Sequence, residues 1–522
     1  MEKCIEKRID AIFSRWTEGV CPGGQIRVRK KGEIIYSKNF GFANLEHQVP
    51  VQDDTVFHVA SVSKQITVMS ILLLAEEGTI DIDDDVRKYL PDLIQFNEPV
   101  TIRNMMNNVS GIRDQWELLS LSGVRLRDTI TQEDALSMIG RQKTLNFEPL
   151  SQYMYSNSNF TLLAEVVERV SGQKFDQFAR QRIFKPLEMN QTQFKVAYWK
   201  IVKNRADSYS EVGTGQLIRK VLNYGTYGAT SLNTTADDFL KWMEQFKKPT
   251  ICTSETINAM LETPELKDGK KSVYAGGLMV GDHQGHPYIE HGGSDAAFRS
   301  QIFRFIEDDL DIIIFSNTTN IPLNKAAYQI ANIVLGFENK KEECKFGPDE
   351  AYYREDLDYN SVPGFYMVDL NGYRITFKFS ALDGNLYEVN QYGKIPLYHQ
   401  LGNCYKLSND WELFFGEKCC LKINEQLFDL KKLQPYKEEL EGCIYEGQYE
   451  SKELATTYTI TKEDGLLYLT HGRNGKSLLY ELKQHTFVNE NGATFKIILE
   501  KNEIKGFELI GGRVKSIIFT AV

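Results

Sequence analysis

Ser61-Val62-Ser63-Lys64 sets a hydroxyl and an amine three residues apart, directly before the apolar run QITVMSILLLAEEG, which stops at Gly78. Such a run reads as a helix buried in the middle of a domain, and the i, i+3 spacing puts Ser61 and Lys64 on one face of it. A serine at a helix start lies in the positive end of the macrodipole, which favours its alkoxide. A buried lysine beside it can give up its proton and act as a base. The pair is a candidate activated nucleophile. Taken alone it also fits a serine that caps the helix beside a solvated lysine, so the rest of the chain must decide.

Tyr155-Ser156-Asn157 precedes a second apolar-periodic stretch, NFTLLAEVVERVSG. A tyrosine near an ammonium ionises below its usual pKa of about 10, so Tyr155 can take the serine proton and return it to a leaving group. Asn157, two residues on, can bind a substrate carbonyl and hold the lysine. His291-Gly292-Gly293-Ser294 ends a strand-like segment, where the glycines would let a substrate backbone approach the strand edge. Read singly, Tyr155 also fits a half-buried aromatic and the Gly-Gly segment a turn.

The elements that must hold these residues are legible around them. The amino terminus, MEKCIEKRIDAIFSRW, has helical spacing of Ile5, Ile9, Ile12, Phe13 and Trp16. Gln25 to Arg29 and Glu33 to Ser37 alternate around the Lys31-Gly32 turn as a hairpin. A mostly helical stretch follows. Strand patterns return at Tyr274 to Val280, Tyr288 to His291, Phe298 to Phe305 and Leu310 to Phe315, and a helix from Asn324 to Leu335 closes the unit. This order predicts an α/β sandwich: an antiparallel sheet between terminal helices, with an all-helical lobe beside it.

Residues 340 to 350, KKEECKFGPDE, mark a boundary, and the texture beyond is short strands with Gly and Asn turns. Gly364-Phe365-Tyr366, Tyr373-Arg374-Ile375-Thr376 and Asp383-Gly384-Asn385-Leu386-Tyr387 recur as Gly447-Gln448-Tyr449, Tyr458-Thr459-Ile460-Thr461 and Asp464-Gly465-Leu466-Leu467-Tyr468. Two copies suit two small antiparallel barrels rather than a solenoid. One continuous β domain is the alternative. The expected domains are 1–340, 341–440 and 441–522.

With 522 residues, 42% hydrophobic and 25% charged, the chain is an ordinary globular protein of several domains. A net charge of −10 argues against nucleic-acid binding and leaves a small peptide or amino-acid-derived substrate as the expected partner. The amino terminus lacks the apolar core of a signal peptide, and no window has 18 uninterrupted apolar residues, so a cytoplasmic protein without membrane attachment is expected. Cysteines at 4, 21, 252, 344, 404, 419, 420 and 443 show no zinc spacing and read as free buried thiols. Asp81 to Asp85 starts like a calcium loop, but Val86 stands where glycine is required and Asp92 where glutamate is, so it reads as a solvated turn. His283 and His286 read as a polar hairpin turn, and Cys419-Cys420 as core packing. No cofactor or metal is expected.

The three motifs, in this order, resemble those of the serine β-lactamase and penicillin-binding protein superfamily, and specifically its class C-like branch of D-aminopeptidases, DD-carboxypeptidases and esterases. The supporting segments are HVASVSKQ (58–65), TIRNMMNNVSGI (101–112), YSNSNFTLLAEVVERVSG (155–172), GATSLNTTADDFLKW (228–242) and HGGSDAAFRS (291–300). The resemblance implies a β-lactamase/transpeptidase-like domain. Two lipocalin-like barrels would follow it, as in bacterial D-aminopeptidases, where one barrel extends a loop into the active site. It implies Ser61 as acylated nucleophile, Lys64 and Tyr155 as the proton-transfer pair, and Asn157 as carbonyl and lysine ligand. His291 would stand for the third motif's basic residue, with Gly293 beside it. The backbone N–H groups of Ser61 and Ser294 would form the oxyanion hole.

Two departures bear on substrate. His-Gly-Gly replaces the Lys-Thr-Gly of most β-lactamases and carboxypeptidases, so substrates with a carboxylate should be favoured only below about pH 6.5, where His291 gains charge. And the last barrel's candidate loop, Thr470 to Lys476 (THGRNGK), is basic, whereas a substrate ammonium needs an anion. The expected activity is hydrolysis of amide or ester bonds in peptides containing D-amino acids. An esterase or weak β-lactamase with the same residues is one alternative. The other is a sensor of penicillin or cell-wall peptides that is acylated without turnover. β-Lactams are possible ligands or inhibitors.

Overall fold

The run Ile312-Ile313-Ile314-Phe315 has no polar face, so the strand that carries it must be covered on both sides. The computed structural model describes residues 2–125, 127–212, 216–337, 357–370, 373–390, 393–401, 403–407, 411–416, 418–423, 426–436, 445–501 and 503–522. In it the run lies in a seven-stranded antiparallel sheet. The strands are β1 (Gly24–Lys30), β2 (Glu33–Phe40), β3 (Tyr274–Ala275), β4 (Leu278–His283), β5 (His286–Asp295), β6 (Phe298–Phe305) and β7 (Leu310–Ser316), in the spatial order β3-β4-β5-β6-β7-β1-β2. Pairing of β1 with β7, Gly24 opposite Ser316 and Lys30 opposite Leu310, joins the early hairpin to the late strands.

The terminal helices are α1 (Glu2–Ile12) and α4 (Leu323–Leu335), and α2 (Lys64–Glu76) and α3 (Asn157–Ser171) carry site residues. Ile26, Val28, Phe303, Ile312 and Ile314 point to one face of the sheet and pack with Ile9, Phe13 and Ile330 from the terminal helical segments. Ile302, Ile313 and Phe315 point to the other and share a core with Val62, Ile66, Met69 and Phe160. Each such side chain contributes roughly 1.5–3 kcal/mol relative to exposure. Residues Lys64 through Leu74 of α2 are all buried, as an all-round apolar helix requires. The α/β sandwich with a helical lobe is the observed architecture.

The expected strand Tyr274 to Val280 is broken in two at Gly276-Gly277. Gly277 has φ +79, and a Cβ there would lie 2.9 Å from both Gln65 N and Lys64 C, so this backbone runs against the first turn of α2.

A second compact unit comprises the described residues beyond 340 with segment 117–124 and residues Val212 and Gln216. It holds a nearly closed nine-stranded sheet, from Gly364–Leu370 to Gln426–Leu433, and a closed eight-stranded barrel, from Gly447–Ser451 to Ile517–Ala521. The β region thus holds two sheets within this one unit, and the repeat opens each of them. Tyr366 donates its hydroxyl to the Val362 carbonyl at 2.9 Å, and Tyr449 does the same to Tyr445 at 2.7 Å. Asp383-Gly384 and Asp464-Gly465 take φ values of 49 and 73, and 51 and 78, the left-handed pairs of a two-residue hairpin. Segment 117–124 docks on the closed barrel. The Glu117 carboxylate accepts the Gly512 and Arg513 N–H groups at 2.8 and 2.9 Å, and the Tyr458 hydroxyl donates to the Leu121 carbonyl at 2.7 Å.

The sequence boundary at 340 to 350 lies outside the described residues, as do Cys344, Cys443 and the Cys4 side chain. Of the described thiols, all free, Cys404 and Cys420 are buried as expected, whereas Cys21, Cys252 and Cys419 are partly exposed, which corrects the expectation of burial for these three. Among the described residues no helix is long and apolar enough to cross a membrane.

Candidate active site

Ser61 does not open the α-helix. It sits in a 3₁₀ turn, Ala60–Ser63, ahead of α2, whose first residue is Lys64. Ala60 has φ +46, a strained value for a residue with a Cβ, and the surroundings hold it there. The Ser63 hydroxyl donates to the Ala60 carbonyl at 2.5 Å and accepts the Leu232 N–H at 3.0 Å. The Ser300 hydroxyl donates to the Val59 carbonyl at 2.8 Å. Sequence reasoning missed both clamps. Ser63 lies inside the SxxK segment, but nothing in its type separates it from a solvated serine.

Lys64 is fully buried. Its Nζ donates to Ser61 Oγ at 3.1 Å, to Asn157 Oδ1 at 2.9 Å and to the Ala229 carbonyl at 2.7 Å. Asn157 Oδ1 and the Ala229 carbonyl can only accept, which suits a nitrogen that has protons to give. The Tyr155 ring lies 4.8 Å from this nitrogen and the Phe160 ring 5.3 Å, with the cation over their faces.

Asn157 begins α3, and its orientation is set from behind. Its backbone N–H and its Nδ2 both donate to Asp114 Oδ2 at 2.8 Å, so Oδ1 is left for Lys64. Asp114 is itself fully buried. It lies two residues beyond the segment TIRNMMNNVSGI, and no periodicity marks it.

His291, Gly293 and Asp295 alternate onto one face of β5, paired with Ile302, Ser300 and Phe298 of β6. The His291 ring lies 6.0 Å from that of Tyr155. Its Nδ1 donates to the Gly292 carbonyl at 2.7 Å, which leaves Nε2 to accept the Tyr274 hydroxyl at 3.0 Å. Both nitrogens are satisfied by a neutral ring. Burial, and then the Lys64 charge, push the His291 pKa down to about 3. The expected gain of charge below pH 6.5 is therefore corrected: this histidine stays neutral. A Cβ at Gly293 would meet Ser300 Oγ at 2.1 Å and Val59 O at 2.4 Å, so glycine is what lets β5 lie against the nucleophile turn. Ser294 is the next residue along the strand. Ser61, Lys64, Tyr155, Asn157, His291 and Gly293 are thus gathered from three separated segments.

The weaker signals fall elsewhere. Asp83 pairs with Arg103 and Asp84 with Lys88, at a polar turn. His283 bonds Asn332 Oδ1, and His286 pairs with Asp308. Among the described residues no group of three His, Cys, Asp or Glu side chains is placed to hold a metal. In the closed barrel, Lys476 of the basic loop pairs with Glu463.

The family described as beta-lactamase matches residues 3–335. A D-aminopeptidase of Brucella anthropi is 29% identical over 343 residues, 65% of this chain and 64% of that protein, so the match spans less than two thirds of the relative's length. Among solved structures, the octameric penicillin-binding protein homologue from Pyrococcus abyssi aligns with a TM-score of 0.58 at 21% identity, covering 91% of this chain and 99% of that one. A D-amino acid amidase from Ochrobactrum anthropi SV3, complexed with L-phenylalanine amide, aligns with a TM-score of 0.53 at 19% identity over 64% of this chain and 98% of that one. At these identities the two structures share its fold.

Proposed function

The chain belongs to the beta-lactamase family, and from that premise we propose that it is a serine hydrolase. It forms an acyl-enzyme on Ser61 and acts on amide or ester bonds of peptides containing D-amino acids. The observation that carries this reading is Lys64 Nζ, held at once on Ser61 Oγ (3.1 Å) and Asn157 Oδ1 (2.9 Å) beneath the Tyr155 ring. A buried ammonium at that point stabilises anionic forms of both hydroxyls around it.

In the first half-reaction Tyr155 accepts the Ser61 proton while Oγ attacks the substrate carbonyl. The oxyanion forms against the backbone N–H groups of Ser61 and Ser294, each such donor being worth roughly 3–4 kcal/mol in the transition state. Collapse breaks the C–N or C–O bond, and Tyr155 returns the proton to the leaving group. Water, deprotonated at Tyr155, then cleaves the ester and regenerates Ser61. The cycle uses no metal, because Lys64 and Tyr155 together handle the proton and the charge. The resemblance in sequence to a D-aminopeptidase supports D-configured substrates.

The test is initial-rate hydrolysis of D-alanine and L-alanine p-nitroanilide side by side, with Ser61→Ala as the blank. Faster turnover of the D isomer, abolished in Ser61→Ala, is the expected result. Equal rates for the two isomers would refute the stereochemical assignment, and residual activity in Ser61→Ala would refute the nucleophile.

A further inference from the structure

β5 runs past the nucleophile turn with three side-chain positions facing it, His291, Gly293 and Asp295. Gly293 lies against Val59 and Ala60, beside Ser61. Two residues of strand separate it from each neighbour, about 7 Å either way. His291 is at the end shared with Tyr155 and Lys64. Since Tyr155 hands its proton to the leaving group, that end takes the leaving group, and the Asp295 end takes the acyl group.

Asp295 is built as a fixed anion. Its Oδ2 accepts from the Tyr224 hydroxyl, from Thr230 Oγ1 at 3.2 Å and from His58 Nε2 at 3.3 Å. The side chain keeps 23% of its surface exposed, while His58, three residues before Ser61, is buried at 3%. Arg205, Arg299 and Lys195 are the cations nearby, and none of them forms an ion pair with it among the described residues. Arg299 directs Nη1 to the Phe298 and Ala296 carbonyls at 2.7 and 3.3 Å. The Arg205 guanidinium lies 5.6 Å from the Phe298 ring centre. Burial lowers the pKa of His58, so at neutral pH its contact with Asp295 is that of a neutral imidazole, and the Asp295 charge, one residue past the Ser294 N–H, is not quenched by contact with a cation.

We propose that Asp295 is the specificity-determining residue that receives the free α-ammonium of the acyl residue, so that the site takes unblocked aminoacyl substrates. This rests on the hydrolase reading above. It places an anion on the strand that also carries Gly293 and Ser294.

The experiment compares kcat/KM for D-alanine p-nitroanilide with that for propionyl p-nitroanilide, which differs only in lacking the amine, in wild type and in Asp295→Asn. Wild type should prefer the amine by about 10- to 100-fold, the value of a charge-assisted hydrogen bond, and Asp295→Asn should bring the ratio close to one. A merely structural loss would lower both rates and leave the ratio unchanged, which would overturn the proposal. A check that needs no variant is N-acetyl-D-alanine p-nitroanilide with the wild-type protein. Acetylation should cost at least the same factor, and equal rates would refute the ammonium site while leaving the hydrolase reading intact. Preference for succinyl over D-alanyl p-nitroanilide would overturn it in favour of an anionic acyl group bound by Lys195 and Arg205. Failure of wild type on every one of these substrates would overturn both readings together.

Discussion

Asp114 Oδ2 accepts two hydrogen bonds from a single residue, the backbone N–H and the Nδ2 of Asn157, each at 2.8 Å. The buried carboxylate thereby decides which end of the amide meets Lys64, because with Nδ2 committed only Oδ1 can face the ammonium. Replacement Asp114→Ala releases the amide to turn its N–H₂ toward Nζ, where donor meets donor. The expected outcome is a fall in kcat of about 10- to 100-fold, the equivalent of a lost buried partner worth about 1–3 kcal/mol. KM for D-alanine p-nitroanilide should move less than about threefold. Steady-state kinetics measure this split, and an unchanged kcat would remove Asp114 from the site.

Gly293 is fixed by contact rather than by its own backbone angle. A methyl group there would press on Ser300 Oγ and Val59 O, two atoms already bonded to each other at 2.8 Å. Gly293→Ala should therefore move β5 off the nucleophile turn and lower kcat/KM by about 100-fold or more, as a misplacement of about 1 Å does. Gly293→Ala combined with Ser300→Gly removes one of the two obstructing atoms and should recover part of the loss. Absence of any recovery in the double variant would place the obstruction elsewhere.

His291 and Glu290 are neighbours in β5, and their titrations act on stability in opposite directions. His291 has its pKa lowered from 6.5 to about 3 by burial and the Lys64 charge. The unfolded chain takes up that proton below pH 6.5 and the folded one does not, so the contribution is complete above pH 6.5 and is lost as pH falls toward 3. Burial raises the Glu290 carboxyl from 4.5 to about 7. The folded protein keeps a proton that the unfolded chain releases, so this contribution is complete below pH 4.5 and is lost as pH rises through 7. Urea denaturation should show that His291→Gln flattens the slope between about pH 3 and 6.5 and Glu290→Gln the slope between about pH 4.5 and 7, each by up to about 1.4 kcal/mol per pH unit. Hydrolysis of carboxylate-bearing substrates should show no rise below pH 6.5 attributable to His291.

Tyr366 and Tyr449, matching residues of the sequence repeat, each donate a hydroxyl to the carbonyl four residues upstream. Tyr366→Phe and Tyr449→Phe should each cost about 0.5–1.5 kcal/mol. The bonds lie in separate sheets, so in the double variant the losses should add to within about 0.5 kcal/mol. Chemical denaturation of the single and double variants measures this, and a markedly non-additive result would mean that the two bonds are energetically coupled.

Much of the catalytic unit is legible without coordinates, because strands and helices leave periodic traces. Phe298 to Phe305 and its observed strand have the same bounds, and Leu310 to Phe315 is one residue short of its strand. The Ser61, Lys64, Tyr155 and His291 segments also stand out, since unusual chemistry at fixed local spacing is a sequence property. The repeat beginning at Gly364 and Gly447 marked the two sheets of the second unit, because hairpin turns such as Asp383-Gly384 depend on local backbone preference.

Tertiary structure decided what depends on distance through space. Asp114 finds Asn157 across 43 residues, Ala229 finds Lys64 across 165 and Ser300 finds Val59 across 241. No local pattern records such pairings. It also decided protonation: a histidine read as a switch near neutral pH is held neutral once burial and Lys64 surround it. The local reading of Ser61 as a helix start gave way to a strained 3₁₀ turn, because the bonds that hold Ala60 at φ +46 come from Ser63 and, through Val59, from Ser300 on the sheet. Sequence alone determines which elements form and which reactive groups are present. The packed fold determines which of those groups meet and what charge they carry, because desolvation and long-range hydrogen bonds exist only once the chain has closed around them.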